Sequence, residues 1–343
     1  MIDDTLYRAA LAGAGFVDRS SRGTIVVRGA DRRSYLHAML TQDILALEAG
    51  RGCYGALLTA QGRMVADMRI YELGEMILLD VAPGLGAAVA ERLDQFVFSE
   101  DVQLTDETGK WALVRVVGPG AAVAVHSALA AMAGGAGAGP SADALAASQA
   151  YRAVLVPTTG GPLVVAYVRE WGLPGFDLFV PAPAASPARE ALRAAGAVEL
   201  DDESAEALRI EAGWPEFLVD MTTETIPLEA GIEARAISFT KGCYPGQELI
   251  IRVLHRGGGR VAKRLVGLTV DAPSVPERGA RLLSGGKDVG RVTSAVWSPA
   301  LQRIVALGYV QSDLAPPGTL LEIETSDGCA VAVTRALPLV ARQ

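Results

Sequence analysis

Hydrophobic positions in the early part of the chain follow strand spacing and helix spacing in turn. Short apolar runs bounded by turn residues predict strands of one sheet over 24–28, 53–59, 64–71, 76–81, 102–104 and 113–117. The second and third of these strands form a hairpin whose turn is residues 60–63. Apolar residues three and four apart predict a short helix capped by Asp31 and a longer helix over 87–98. This pattern indicates an α+β domain in which helices pack on a sheet.

A similar plan follows a segment rich in glycine and alanine. Strands are predicted over 163–168 and 177–180, and a helix over 187–195. From residue 265 onward, short strands separated by turns at 284–287 and 315–318 are typical of a small β-barrel or sandwich. We therefore predict a first α+β part over 1–132, a Gly/Ala linker over 133–150, a second α+β part over 151–262 and a C-terminal β-barrel over 263–343.

Composition excludes several classes of function. The formal net charge of −8 over 343 residues argues against direct nucleic-acid binding, which needs clustered excess Lys and Arg. The three cysteines are far apart and lack the spacing of a zinc site, so we expect no metal and a reducing, cytoplasmic setting.

The start of the sequence is acidic and lacks the features of a signal peptide. Residues 116–142 carry no Asp, Glu, Lys or Arg, but their Gly, Pro and Ala content favours a helix and a connector over a membrane span. We expect a monomer.

Glu211 is a candidate site residue because it breaks a local rule. It falls in the last turn of a helix over 201–213, where the helix dipole disfavours a carboxylate, and it borders the apolar face of that helix. The alternative is a surface glutamate paired with Arg209 or another base.

Asp67 lies inside a predicted strand among apolar residues. Such a carboxylate either faces solvent or serves a ligand. Alternation places Asp67 on the same face as Arg69, so an ion pair between the two is the structural alternative to a role in binding.

Cys243 lies in the octapeptide KGCYPGQE, at the start of a basic segment. Residues 241–264 hold six Lys or Arg against the single acid Glu248. This basic segment, which includes Lys241 and Arg252, could attract an anionic ligand and would lower the pKa of a neighbouring thiol. Gly242 and Gly246 permit a tight backbone with positive φ that exposes the sulfur. The alternatives are a small buried cysteine and a solvated edge strand guarded by charge.

These residues together resemble the YgfZ family, folate-binding relatives of the glycine-cleavage T-protein (aminomethyltransferase). The octapeptide 241–248 matches the family signature K-G-C-Y-x-G-Q-E, and supporting stretches cover residues 36–44, 209–231 and 289–310. The resemblance therefore spans most of the chain.

The resemblance implies a three-domain ring of two ferredoxin-like, T-protein-type α+β domains and a β-barrel. It implies binding of tetrahydrofolate or a folate derivative, a role in the assembly or repair of iron–sulfur enzymes, and a required Cys243. By the T-protein pattern Glu211 would hold the pterin, whose N–H donors form a fork that fits a carboxylate. Asp67 would lie near the folate nitrogens. The basic segment, with Lys241 and Arg252, would face the glutamate tail.

One departure separates this chain from T-proteins, which carry two successive aspartates where this chain has Ala66-Asp67. T-proteins also lack the K-G-C-Y-x-G-Q-E signature.

Three functions stay open. The first is a folate-dependent accessory factor whose partners are iron–sulfur client or assembly proteins. The second is a folate-dependent aminomethyl or methyl transferase, in which Asp67 is required and Cys243 is not. The third is a non-catalytic binding module that affects tRNA modification through an iron–sulfur enzyme.

Overall fold

The computed structural model describes residues 4–133, 139–255, 258–326 and 328–342. Part of the predicted linker over 133–150, and Arg256 of the basic segment, lie outside these residues. The described helices are α1 Thr5–Ala12, α2 Arg32–Met39, α3 Gly86–Asp94, α4 Ala121–Met132, α5 Ala142–Ala146, α6 Ala185–Ala194, α7 Asp202–Glu211, α8 Pro227–Ala230, α9 Glu233–Ala236 and α10 Gln247–His255.

The first sheet forms from a continuous stretch of chain and has the order β3-β4-β5-β2-β6. Its strands are β2 Gly23–Arg28, β3 Arg51–Leu58, β4 Met64–Glu72, β5 Ile77–Val81 and β6 Gln103–Asp106. All neighbours pair antiparallel. One face of the sheet packs with α2 and α3 in a core that includes Leu36, Met68, Ile70 and Leu93. Asp31 precedes α2, but its carboxylate accepts from the backbone N–H of Asp101 instead of capping the helix.

The second sheet has the order β11-β1-β7-β10-β9-β8 and draws on distant parts of the chain. Its strands are β1 Gly15–Asp18, β7 Trp111–Val117, β8 Ala153–Val156, β9 Leu163–Val168, β10 Gly175–Pro181 and β11 Val198–Glu199. Helices α4 and α6 cover one face, in a core that includes Val114, Val125, Leu178 and Leu192.

The two sheets pack face to face, which explains why their strands are apolar on both sides. Tyr71 and Leu78 of the first sheet meet Leu113, Val164 and Phe179 of the second. These two domains are therefore layered as helices, sheet, sheet, helices.

A cluster of buried charges lies between these two sheets. The Arg69 guanidinium bonds Glu170 at 2.7 Å and Asp80 at 3.1 Å. Arg115 pairs with Glu170 at 3.0 Å and with Asp177 at 2.6 Å. All five side chains are at most 1% exposed. Buried charges are tolerated only when they are paired, so this ionic cluster fixes how the sheets face each other.

The C-terminal part is a closed barrel of order β12-β15-β14-β13-β16-β17. Its strands are β12 Lys263–Asp271, β13 Arg281–Ser284, β14 Lys287–Ser298, β15 Arg303–Gln311, β16 Leu320–Thr325 and β17 Gly328–Arg335. Gly285 and Gly286, both with positive φ, form the predicted turn between β13 and β14. The predicted fold class, two α+β domains followed by a small β-barrel, is confirmed.

Two predictions about the sheets need correction. Strand β7 does not continue the first sheet, because it pairs with β1 and β10 of the second. The predicted first part over 1–132 consequently includes β1, β7 and α4, which belong with the second sheet. In the described parts of the chain, no helix combines the length and the apolar character needed to cross a membrane.

We expect Glu170→Gln to lower the free energy of unfolding by about 3–5 kcal/mol, because two buried guanidinium groups lose an anionic partner. Burial opposes ionisation of Glu170, but Arg69 and Arg115 lower its pKa to about 2, below the ordinary value of 4.5. A carboxyl whose pKa is lower in the folded state stabilises the fold above the unfolded pKa. This contribution is lost as the pH falls from about 4.5 toward 2. Urea denaturation of both proteins at pH 7 and at pH 3 measures the effect.

Glu324→Gln provides the matched control, since its partner Arg281 is about half exposed. Because solvent screens that surface pair, we expect a much smaller change in the free energy of unfolding than for Glu170→Gln. If the two variants lose the same amount of unfolding free energy, the ionic cluster does not have the role that we give it.

Candidate functional site

Lys241 anchors the KGCYPGQE segment to the first domain. Its buried Nζ donates hydrogen bonds to the backbone carbonyls of Leu40, at 2.7 Å, and of His37. Both carbonyls lie at the C-terminal end of α2, where the helix dipole favours a cation. Burial lowers the pKa of Lys241 to about 8, although the charges of Asp43 and Cys243 oppose this shift. The lysine predicted to face the folate tail therefore bonds backbone carbonyls of the protein in this structure.

Gly246 fixes the other end of the segment against the hairpin turn between β3 and β4. Its φ is +83°, and a Cβ there would lie 2.5 Å from the carbonyl oxygen of Thr59 and 2.8 Å from Cα of Gly62. Only glycine combines that φ with so close an approach. Gly242 does not have positive φ, and a Cβ at that position would meet nothing within 4 Å. The positive φ predicted for this pair is therefore confirmed for Gly246 alone.

Cys243 is exposed on the loop between these two anchors. The next residue, Tyr244, is buried, and burial raises the pKa of its hydroxyl to about 12. The alternative of a buried, packed Cys243 is wrong. The loop presents its thiol to solvent from a backbone that is held on both sides.

Residues 247–255 of the basic segment form helix α10, and Lys263 and Arg264 begin β12 of the closed barrel, so the alternative of an edge strand is also wrong. Arg252 lies on α10, where it pairs with Glu248 and both side chains are largely exposed. Lys263 lies 5.0 Å from the ring centre of Tyr309 in the barrel. The basic side chains are therefore distributed over two elements. The predicted contact of Arg252 with a folate tail stays a prediction.

Asp67 is buried in β4 but does not pair with Arg69, which bonds Glu170 and Asp80 instead. Its Oδ2 accepts a hydrogen bond of 2.7 Å from the hydroxyl of Tyr54. In the described chain, Oδ1 accepts no hydrogen bond. Burial raises the pKa of Asp67, while the charge of Arg69 opposes this. Asp67 thus has one oxygen positioned by the protein and one that is available.

Aromatic and cationic side chains pack around Tyr54, the hydrogen-bond partner of this carboxylate. The rings of Tyr54 and Trp214 are 5.4 Å apart, and the Arg235 guanidinium lies 4.1 Å from the centre of the Trp214 ring. Among the described residues, the buried Nε1 of Trp214 and Nε of Arg235 have no hydrogen-bond partner. Sequence patterns did not identify these three residues as site residues. The Trp-Pro pair that ends the α7 region was the available signal for Trp214.

Ala66 points away from Asp67, into the core of the first domain with Met68 and Ile70. Successive residues of a strand face opposite sides of a sheet. The alanine that stands where T-proteins have a second aspartate therefore does not alter the surroundings of Asp67.

Glu211 is fully buried, and its carboxylate is already occupied. Oε1 accepts from the hydroxyl of Ser298 at 2.5 Å, and Oε2 accepts from the hydroxyl of Tyr7 at 2.7 Å and from the guanidinium of Arg342. Burial, followed by the bond to Glu211, raises the pKa of Tyr7. The predicted partner Arg209 pairs with Glu206 and Asp220 instead. Glu211 thus joins α1, the barrel and the last described residues.

The structure brings together Lys241, Cys243 and the β3–β4 hairpin that carries Asp67, but gives Glu211 separate partners. Among the described residues, no group of three or more His, Cys, Asp or Glu side chains could hold a metal ion. The site is therefore an exposed thiol beside a domain that contains a buried, partly unpaired carboxylate.

Comparisons with known proteins match nearly the whole chain to one protein family. Residues 7–241 match the GCVT N-terminal domain, and residues 263–340 match the glycine cleavage T-protein C-terminal barrel domain. An aminomethyltransferase of Rubrobacter xylanophilus is 31% identical over 337 residues, covering 98% of this chain and 83% of its own length. One of Thermus thermophilus is 31% identical and covers 97% and 89%. The crystal structure of glycine cleavage system aminomethyltransferase T from Bartonella henselae has the same fold, with a TM-score of 0.86, 22% identity and coverage of 98% and 89%.

We expect Gly246→Ala to lower the free energy of unfolding by about 1–3 kcal/mol, because an alanine there is strained and too close to Thr59. The same change should alter the rate at which iodoacetamide alkylates Cys243 in the folded protein. Urea denaturation and mass spectrometry measure the two effects.

Gly242→Ala, one residue before the same thiol, is the control. Because its added Cβ meets nothing within 4 Å, we expect a change within about 0.5 kcal/mol and an unchanged alkylation rate. If the two alanine variants behave alike, Gly246 does not anchor the loop.

Proposed function

Because this chain belongs to the glycine-cleavage T-protein family, we propose that it is a tetrahydrofolate-binding accessory factor of the YgfZ type, with Cys243 as its essential thiol. In this proposal its partners are iron–sulfur enzymes or the proteins that assemble and repair them. The exposure of Cys243 on an anchored loop carries the proposal. A thiol that meets a macromolecular partner has to be accessible, and a fixed backbone reduces the entropy lost on contact.

The loop that carries the thiol contacts the domain that would bind folate. Lys241 bonds the end of α2, and Gly246 packs on the turn of the β3–β4 hairpin. That hairpin also contains Tyr54 and Asp67. A folate that orders the hairpin would therefore also order the surroundings of Cys243, which gives folate binding and thiol chemistry a shared structural element.

Asp67 is the carboxylate that we assign to the folate nitrogens. Its free Oδ1 can accept from a pterin N–H, while its Oδ2 is held by the hydroxyl of Tyr54. Glu211, the pterin ligand by the T-protein pattern, would first have to exchange one of its partners Tyr7, Ser298 or Arg342 for the pterin. The role of Glu211 is therefore the less supported part of the folate site.

Aminomethyl transfer to tetrahydrofolate is the second candidate function. The relatives of this chain are named aminomethyltransferases at 31% identity over nearly its whole length. Ala66 does not count against this function, since its side chain faces the core of the first domain. Transfer requires Asp67 but not Cys243, so variants of these two residues separate the candidates.

We expect Cys243→Ser to fold normally and bind tetrahydrofolate, yet fail to restore the activity of an iron–sulfur enzyme in cells that lack this protein. The serine keeps the size of the side chain but replaces the thiolate-forming sulfur. The assay is the activity of a cluster-dependent enzyme in the complemented strain, with protein amounts matched.

Cys329→Ser is the matched control, because Cys329 is also exposed but lies in the barrel. It should restore activity fully. Full restoration of activity by Cys243→Ser would contradict the accessory-factor proposal. Formation of methylenetetrahydrofolate from an aminomethyl donor by that variant would establish the second candidate function.

Asp67→Asn should weaken tetrahydrofolate binding at least about tenfold, since an amide nitrogen cannot accept from the pterin and the charge is lost. Anaerobic calorimetry with purified protein measures the dissociation constant. Glu211→Gln serves for comparison. Loss of binding in the Glu211 variant alone, with its melting temperature retained, would move the pterin from Asp67 to Glu211.

A further inference from the structure

A cleft of about 420 Å³ lies where the barrel meets the segment between α7 and α9. Its walls include apolar side chains, Leu265 and Val266 of β12 and Leu337 beyond β17, and the backbone at Gly213 and Gly231. In the described chain, neither Asp67 nor Cys243 nor Glu211 lines it. The cleft therefore contains none of these three residues, but it adjoins the candidate site through Arg235, which packs on Trp214.

Three arginines from different elements line this cleft: Arg235 of α9, Arg264 of β12 and Arg335 of β17. Arg264 donates to the carbonyl of Gly259, and Arg335 donates to the hydroxyl of Thr269. Among the described residues, none of the three forms an ion pair with a carboxylate. Elsewhere in this acidic protein many arginines have acidic partners. Three cations without counter-charges around one cleft create a local positive potential.

The Arg235 guanidinium packs on an aromatic ring. It stacks on the Trp214 ring at 4.1 Å, and the backbone carbonyl of Arg235 accepts from the side chain of Gln42 at 3.0 Å. The planar guanidinium is therefore held in place while its Nε lacks a partner among the described residues. A pre-positioned guanidinium loses little side-chain entropy when it binds a carboxylate or phosphate.

From this arrangement we propose that the cleft binds a small organic anion. Its carboxylate or phosphate group pairs with Arg235, Arg264 and Arg335, and its apolar body lies on Leu265 and Leu337. The proposal does not depend on folate binding or on the role of Cys243. Inorganic phosphate alone fits less well, because it leaves the apolar walls in contact with water.

Calorimetry with phenyl phosphate and benzoate, which carry the two acidic groups on one apolar body, tests the proposal. Benzamide is the neutral control, and inorganic phosphate is the control without an apolar body. We expect one or both aryl anions to bind more tightly than either control, and to bind more weakly in 0.5 M sodium chloride. The tighter of the two anions identifies the acidic group.

Arg264→Gln and Arg335→Gln should each weaken binding of the aryl anion at least about tenfold. Arg303 is an exposed barrel arginine that does not line the cleft, so Arg303→Gln should leave the affinity for the aryl anion unchanged. Arg335 is itself exposed, so its variant keeps the test informative if Arg264→Gln does not fold. Absence of binding to the wild type, equal binding by all variants, or binding of benzamide as tight as that of the anions would overturn the proposal.

Discussion

The charges between the two sheets constrain the rest of the molecule. Each sheet is apolar on both faces, and apolar faces alone do not specify a single orientation. Arg69, Arg115 and Glu170 do, because each guanidinium must find its carboxylate once water is excluded. With the sheets fixed in this way, Arg69 is committed to the cluster, and Asp67 two residues earlier is left to bond Tyr54.

The site is built from contacts between the first domain and a segment far along the chain. Lys241 and Gly246 both rest on the first domain, one on the end of α2 and the other on the β3–β4 turn. Tyr244 of the same loop is buried in the core, whereas Gly242 and Cys243 are exposed, so the shape of the loop depends on the residues on which it packs. This explains why a glycine with positive φ and a buried lysine flank an exposed thiol.

Local sequence patterns predicted strands β2 to β7, β9 and β10 and the helices α2, α3, α6 and α7, and the octapeptide with its supporting stretches pointed to the right superfamily. Patterns could not assign β7 to its sheet, because that depends on pairing with β1 and β10, which are remote in sequence. For Glu211 they left open a surface carboxylate paired with Arg209 or another base. The residue is buried, and the base is Arg342, 131 residues away. Alternation correctly placed Asp67 and Arg69 on one face but could not show that Glu170 competes for the arginine.

The order of strands in the second sheet bears on how the chain folds as it is made. Strand β1 leaves the ribosome well before its partners, because β7 and β11 come about 100 and about 180 residues later. The first sheet, by contrast, uses only the stretch between β1 and β7 and can close within it. In topological terms it is a domain inserted into another domain. During synthesis the inserted sheet should therefore form first, while β1 remains unpaired until β7 and β11 have been made.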